Sequence, residues 1–170
     1  MWRGLLITVL MVCGLPALAW RAQLPGATPV GQGEFRKWGF HVYDATLWAP
    51  GGSFDPQRPF ALELRYFRSI RRDQFVSRSL DEIEKVHPEL LTDATRADWT
   101  AAMRRAFADV KEGDRLTGLF LPGRGARFFL GEQPTADVDD PVFAKAFFDI
   151  WLSPATSAPR LREQLLGGGR

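Results

Sequence analysis

The chain has 170 residues, of which 45% are hydrophobic and 12% aromatic, the composition of a packed globule and not of a disordered chain. Its formal charge is only +2, and no basic run is interleaved with aromatic residues, so nucleic acid is a poor candidate partner. The one cysteine, Cys13, allows no internal disulfide framework.

Met1 to Ala19 reads as a cleavable signal peptide. Arg3 gives the positive start, Leu5 to Leu15 is almost purely apolar, and Ala17-Leu18-Ala19 is a small-x-small cleavage site. The apolar stretch is shorter than the ~20 residues a spanning helix needs, and Gly14 and Pro16 interrupt it. Bulky Leu10, Met11 and Val12 ahead of Cys13 speak against a lipid-anchored cysteine. The expectation is export to the periplasm or the medium, with Trp20 as the new N-terminus, Cys13 lost and no stable membrane anchor left. Residues 20–170 then form one domain, long enough to bury a core without disulfides.

Leu24 to Val30 is a Pro/Gly-punctuated lead-in. Trp38 to Trp48 alternates as a strand, placing His41, Tyr43, Ala45 and Leu47 on one face and Phe40, Val42, Asp44, Thr46 and Trp48 on the other. Phe60 to Arg68 is a second strand, with Leu62, Leu64 and Tyr66 opposite Glu63, Arg65 and Phe67. Helical spacing follows over Asp73 to Val86, ended by His87-Pro88, and over Thr95 to Asp109. Asp114–Leu121 and Ala126–Leu130 form a hairpin around Pro122-Gly123-Arg124-Gly125. Asp139 or Asp140 before Pro141 caps a helix carrying Phe143, Ala144, Phe147, Ile150 and Trp151, which Pro154 stops. A last short helix runs from Ser157-Ala158-Pro159 through Leu166. This order predicts an α+β fold, with helices gathered on an antiparallel sheet.

Familiar catalytic and metal patterns do not emerge. His41 and His87 stand in no ligand spacing, and there is no G-x-S-x-G elbow. The glycines of 121–127 lack the Lys-Ser/Thr ending of a phosphate loop and sit between strands. Asp137, Asp139 and Asp140 are better explained by the helix start than by calcium. No cofactor is implied. Arg36 and Tyr43 leave two readings open. Converging on a cavity, a guanidinium and a phenol would form a carboxylate receptor. Otherwise Arg36 is a solvated surface residue and Tyr43 a core aromatic with its hydroxyl at the rim.

The stretch GQGEFRKWGFHVYDATLWAP, the pattern KEGDRLTGLFLPGRGARFFL and the closing DDPVFAKAFFDIWLSPATSAPRLREQLLG resemble the chalcone isomerase-like family, in its bacterial exported branch. The resemblance implies an open-faced β-sandwich, an antiparallel sheet with helices on one face and a ligand cleft between them. The family holds enzymes that close a chalcone to a flavanone, and proteins that bind fatty acids without known chemistry. Matched by motif, the enzymes' arginine falls on Arg36, the strand threonine on Tyr43, the tyrosine on Phe75, the asparagine on Glu82 and the serine or threonine on Ala144. All but the arginine lose the enzyme's functional group, and such losses remove orders of magnitude in rate. The fatty-acid-binding group pairs an arginine with a tyrosine, as Arg36 and Tyr43 would here. The resemblance therefore implies a non-catalytic protein that binds a small apolar carboxylate such as a fatty acid through Arg36, Tyr43 and Phe75. Ala144 and Phe147 would help to line the tail cavity. An isomerase or intramolecular lyase acting on a chalcone-like enone is the alternative, as is an envelope interaction protein with a filled cleft.

Overall fold

The structure, a computed structural model, describes residues 20–168; the signal-peptide reading lies outside the described residues. Six strands form one antiparallel meander in which each strand pairs with its neighbours in sequence. They are β1 (Ala27–Lys37), β2 (Phe40–Pro50), β3 (Phe60–Tyr66), β4 (Arg115–Leu121), β5 (Gly125–Leu130) and β6 (Gln133–Val138). Helices α1 (Arg72–Val86) and α2 (Asp93–Ala106) interrupt the meander, and α3 (Pro141–Leu152) and α4 (Pro159–Leu165) follow it. The expected α+β architecture, an open-faced sandwich with helices on one sheet face, is what forms.

Two strands escape the pattern in the sequence. β1 swallows the end of the expected lead-in, because a strand carrying Pro29, Gly31 and Gly33 shows little apolar alternation. Its glycines have a use: a Cβ on Gly31 would lie 2.1 Å from the Gln164 carbonyl oxygen, so only a bare backbone lets α4 lie on β1. β6 is short, polar and on the sheet edge, where a buried face is not required. Asp137 lies on it and pairs with Arg127, whereas Asp140 is the N-cap of α3, accepting from the Val142 and Phe143 amides at 2.9 Å.

The core sits between the inner sheet face and the helices. Ala45, Leu47, Leu62, Leu64 and Tyr66 meet Val76, Leu80 and Ile83 of α1, Trp99 and Met103 of α2, and nearly the whole circumference of α3. A helix apolar all round is a buried helix, and α3 runs through a cluster of rings formed by Phe107, Phe128, Phe143, Phe147, Phe148 and Trp151. Ala144 and Phe147 are fully packed here and do not line the cleft, a correction to the expected tail cavity. On the outer face, Trp20 and Leu24 cover Ala61, Leu119 and Phe129. Among the described residues no helix is long and apolar enough to cross a membrane.

One local irregularity changes a face assignment. Phe35 pairs with Tyr43 but Arg36 with His41, so Val42 is an extra residue in β2. A bulge moves the residues beyond it to the opposite face. His41 therefore leaves the Tyr43 face and reaches Asp44 at 2.7 Å, with Glu34 at 3.9 Å.

Candidate functional site

Between the inner face of β1–β3 and helices α1 and α3 lies a cleft of ≈ 560 Å³. That volume is in the range of small-molecule sites. Phe35, Tyr43 and Tyr66 come from the sheet, Phe75, Ser79 and Glu82 from α1, and Ile150 and Trp151 from α3. Rings dominate its wall: Phe35 stacks on Tyr43 at 5.0 Å between centroids, and Tyr66 meets both Tyr43 and Phe75 edge-on. Basic Lys37, Arg78 and Lys85 line it beside a single carboxylate, Glu82.

The two tyrosines of the chain face each other here, paired across β2 and β3. The Trp151 indole N–H donates to the Tyr43 hydroxyl oxygen at 3.0 Å, which leaves the Tyr43 O–H free to donate elsewhere. Tyr66 is 1% exposed, yet its hydroxyl finds no hydrogen-bond partner among the described residues. Burial pushes both phenols well above their ordinary pKa; the indole of Trp151 opposes the shift at Tyr43, and the Glu82 charge adds to it. Both therefore stay protonated donors at any physiological pH.

Burial pushes the Glu82 carboxyl up, but hydrogen bonds from Lys85 and Ser157 and the positive charges of Lys85 and Arg78 outweigh it, leaving its pKa lowered. Lys85 donates at 2.9 Å, and the Ser157 hydroxyl donates from the segment between α3 and α4. A lowered folded-state pKa means that the fold favours the ionised form. The stabilisation is present above the unfolded value of about 4.5 and is lost as pH falls through the folded value. Glu82→Gln is expected to lower the urea midpoint at neutral pH and to flatten its fall on acidification. Parallel curves for variant and wild type would refute this.

Of the residues expected from sequence, Tyr43 and Phe75 line the cleft and Arg36 does not. Phe35 and Lys37 point inward, and Arg36 between them lies on the opposite side of the strand. There its Nε donates to Glu34 at 2.9 Å, and a second nitrogen bonds the Gly39 carbonyl oxygen at 3.2 Å. The structure thus does not bring Arg36 and Tyr43 together as a receptor. Tyr66 is the residue that lies beside Tyr43 in the cleft wall. Its signal was in the sequence: it shares a face with Leu62 and Leu64 and is the only other tyrosine. Lys37, one residue from Arg36, is the cation of β1 that reaches the cleft, and no ion-pair partner is found for it among the described residues.

Elsewhere, Glu34, His41 and Asp44 gather on the outer face with ligand-type atoms within 4.8 Å of one another. Arg36 already bonds both Glu34 oxygens, and His41 bonds Asp44, so an ion-pair network accounts for the group.

Residues 30–167 match the chalcone isomerase-like family. An uncharacterized protein of Haemophilus influenzae is 33% identical over 141 residues, spanning 82% of this chain and 67% of that protein. In fold, the chain is similar to the crystal structure of an Arabidopsis thaliana fatty-acid binding protein, with a TM-score of 0.61 at 12% identity, covering 84% of this chain and 88% of the other. By the extent of the family match, over a sheet and helix arrangement that agrees with it, the chain belongs to the chalcone isomerase-like family.

Proposed function

We propose that this protein is an exported, non-catalytic binder of a small apolar carboxylate, with a long-chain fatty acid as the model ligand. The observation that carries the reading is the Tyr66 hydroxyl. A buried polar group without a partner costs free energy, about 1–3 kcal/mol, and here it lies beside a second available phenol in an aromatic-walled cleft. A carboxylate would accept from both hydroxyls, and Lys37, Arg78 and Lys85 would offset its charge and that of Glu82. The tail would lie against Phe35, Phe75, Ile150 and Trp151. The fold likeness to a fatty-acid binding protein supports the same ligand class.

Residues at the family's enzymatic positions support the absence of catalysis. Phe75 offers no hydroxyl, Ala144 is sealed in the core, Arg36 lies outside the cleft, and both phenols are shifted away from acid–base work near neutral pH.

Export rests on the sequence of residues 1–19. Native mass spectrometry of protein recovered from the periplasm or medium reads both parts of the proposal. The expected species begins at Trp20 and carries one acyl chain. A chain retaining Met1 would sink the export reading, and a ligand-free species that takes up no added palmitate would sink the binding one.

A further inference from the structure

The hairpin that joins β1 to β2 turns through Trp38 and Gly39 alone, with φ of 49° and 80°. Positive φ at both positions is the requirement of a tight hairpin turn that favours Asn-Gly. A bulky residue at the first position is strained there. Trp38 gains no burial in return, being 86% exposed, and Phe40 is 56% exposed. These are two of the three large hydrophobic residues left exposed among those described.

The tip is also basic. Lys37 lies over the Trp38 ring at 4.8 Å, and Arg68, from the loop after β3, lies over the Phe40 ring at 4.7 Å. No ion-pair partner is found for either cation among the described residues, and exposed Arg71 and Arg72 follow at the start of α1. Exposed Trp and Phe flanked by Lys and Arg suit the boundary between lipid headgroups and acyl chains, where rings enter the interface and cations meet anionic headgroups. Lys37 places this tip at the cleft, since it lines both.

We infer that the Trp38–Phe40 hairpin tip is a docking element for the surface of an anionic lipid bilayer, presenting the cleft to the membrane. The docking stands on the tip; its use, exchange of ligand with the bilayer, rests on the fatty-acid reading above. Fatty-acid-free vesicles therefore separate the two, because they test the tip without loading the cleft.

The experiment is flotation of the purified protein with vesicles of phosphatidylcholine alone and of an equal mixture with phosphatidylglycerol. Wild type is expected to float with the anionic vesicles and to be released by salt. Trp38→Ser with Phe40→Ser should lower the bound fraction at least about tenfold, through loss of interfacial apolar area, with a melting curve little changed because neither side chain belongs to the core. Arg68→Glu should weaken only binding to the anionic vesicles. Wild type that floats with neither vesicle would overturn the inference. So would a double variant that floats like wild type, or a wild-type dimer that the double variant dissociates, since a second copy would then be the occupant of the tip.

Discussion

Tyr66→Phe is expected to bind palmitate at least about tenfold more weakly than wild type, with no loss of stability. A hydrogen bond to a charged acceptor is worth about 1.5–3 kcal/mol, and about 1.4 kcal/mol is tenfold in affinity. In the free protein the same hydroxyl is buried and unsatisfied, so its removal should raise the urea midpoint or leave it level. Tyr43→Phe should weaken binding to a similar degree but cost stability, because the buried Trp151 indole loses its acceptor. The double variant should lose about a hundredfold in affinity or more. The pair thus agree in binding and part in stability, a pattern that general damage to the fold would not give. Equal affinities for Tyr66→Phe and wild type would remove the observation on which the site rests.

Phe147→Ala should have the largest effect on stability, a loss of about 3–5 kcal/mol, as for other buried Phe truncations. The ring is 3% exposed and packs on Phe107, Phe128, Phe143, Phe148 and Trp151, with centroids 5.3–5.8 Å away. Against a total stability of about 5–15 kcal/mol, this approaches unfolding. Affinity should fall too, because Trp151 packs on Phe147 and supplies the hydrogen bond at Tyr43. Phe147→Leu, which keeps most of the volume, should recover much of both. Urea denaturation checks the order wild type, Leu, Ala; a loss below about 1 kcal/mol for Ala would mean that the α3 ring cluster does not hold the fold.

Periodicity made much of this architecture legible. α1, α2, α3, β3 and the β4–β5 hairpin each bury one apolar face or nearly all faces, and spacing reports burial. The Asp140-Pro141 start of α3 was readable because capping is local chemistry. β1 and β6 were not, since one is shaped by the close approach of α4 at Gly31 and the other is a polar edge. Both depend on partners distant in sequence.

The site was half legible for a similar reason. Strict alternation places Tyr43 inward, and it is inward. It also places His41 beside Tyr43, and there the extra residue Val42 breaks the alternation. Residue type and family position point to Arg36, but side-chain direction on a strand follows parity, and its parity is outward. Lys37 has the inward parity. Nothing in spacing says that a tyrosine hydroxyl will be left unpaired; that is a property of the packed cleft, so Tyr66 could be placed on the right face without its role being visible.

The most direct test is carbon NMR of palmitate labelled at the carboxyl carbon and bound to the protein. The account predicts a distinct bound carboxyl resonance, shifted by hydrogen bonding, that moves back toward the free position when Tyr43 and Tyr66 are both replaced by Phe. A bound resonance that is the same in wild type and the double variant, or no bound resonance at all, would contradict it.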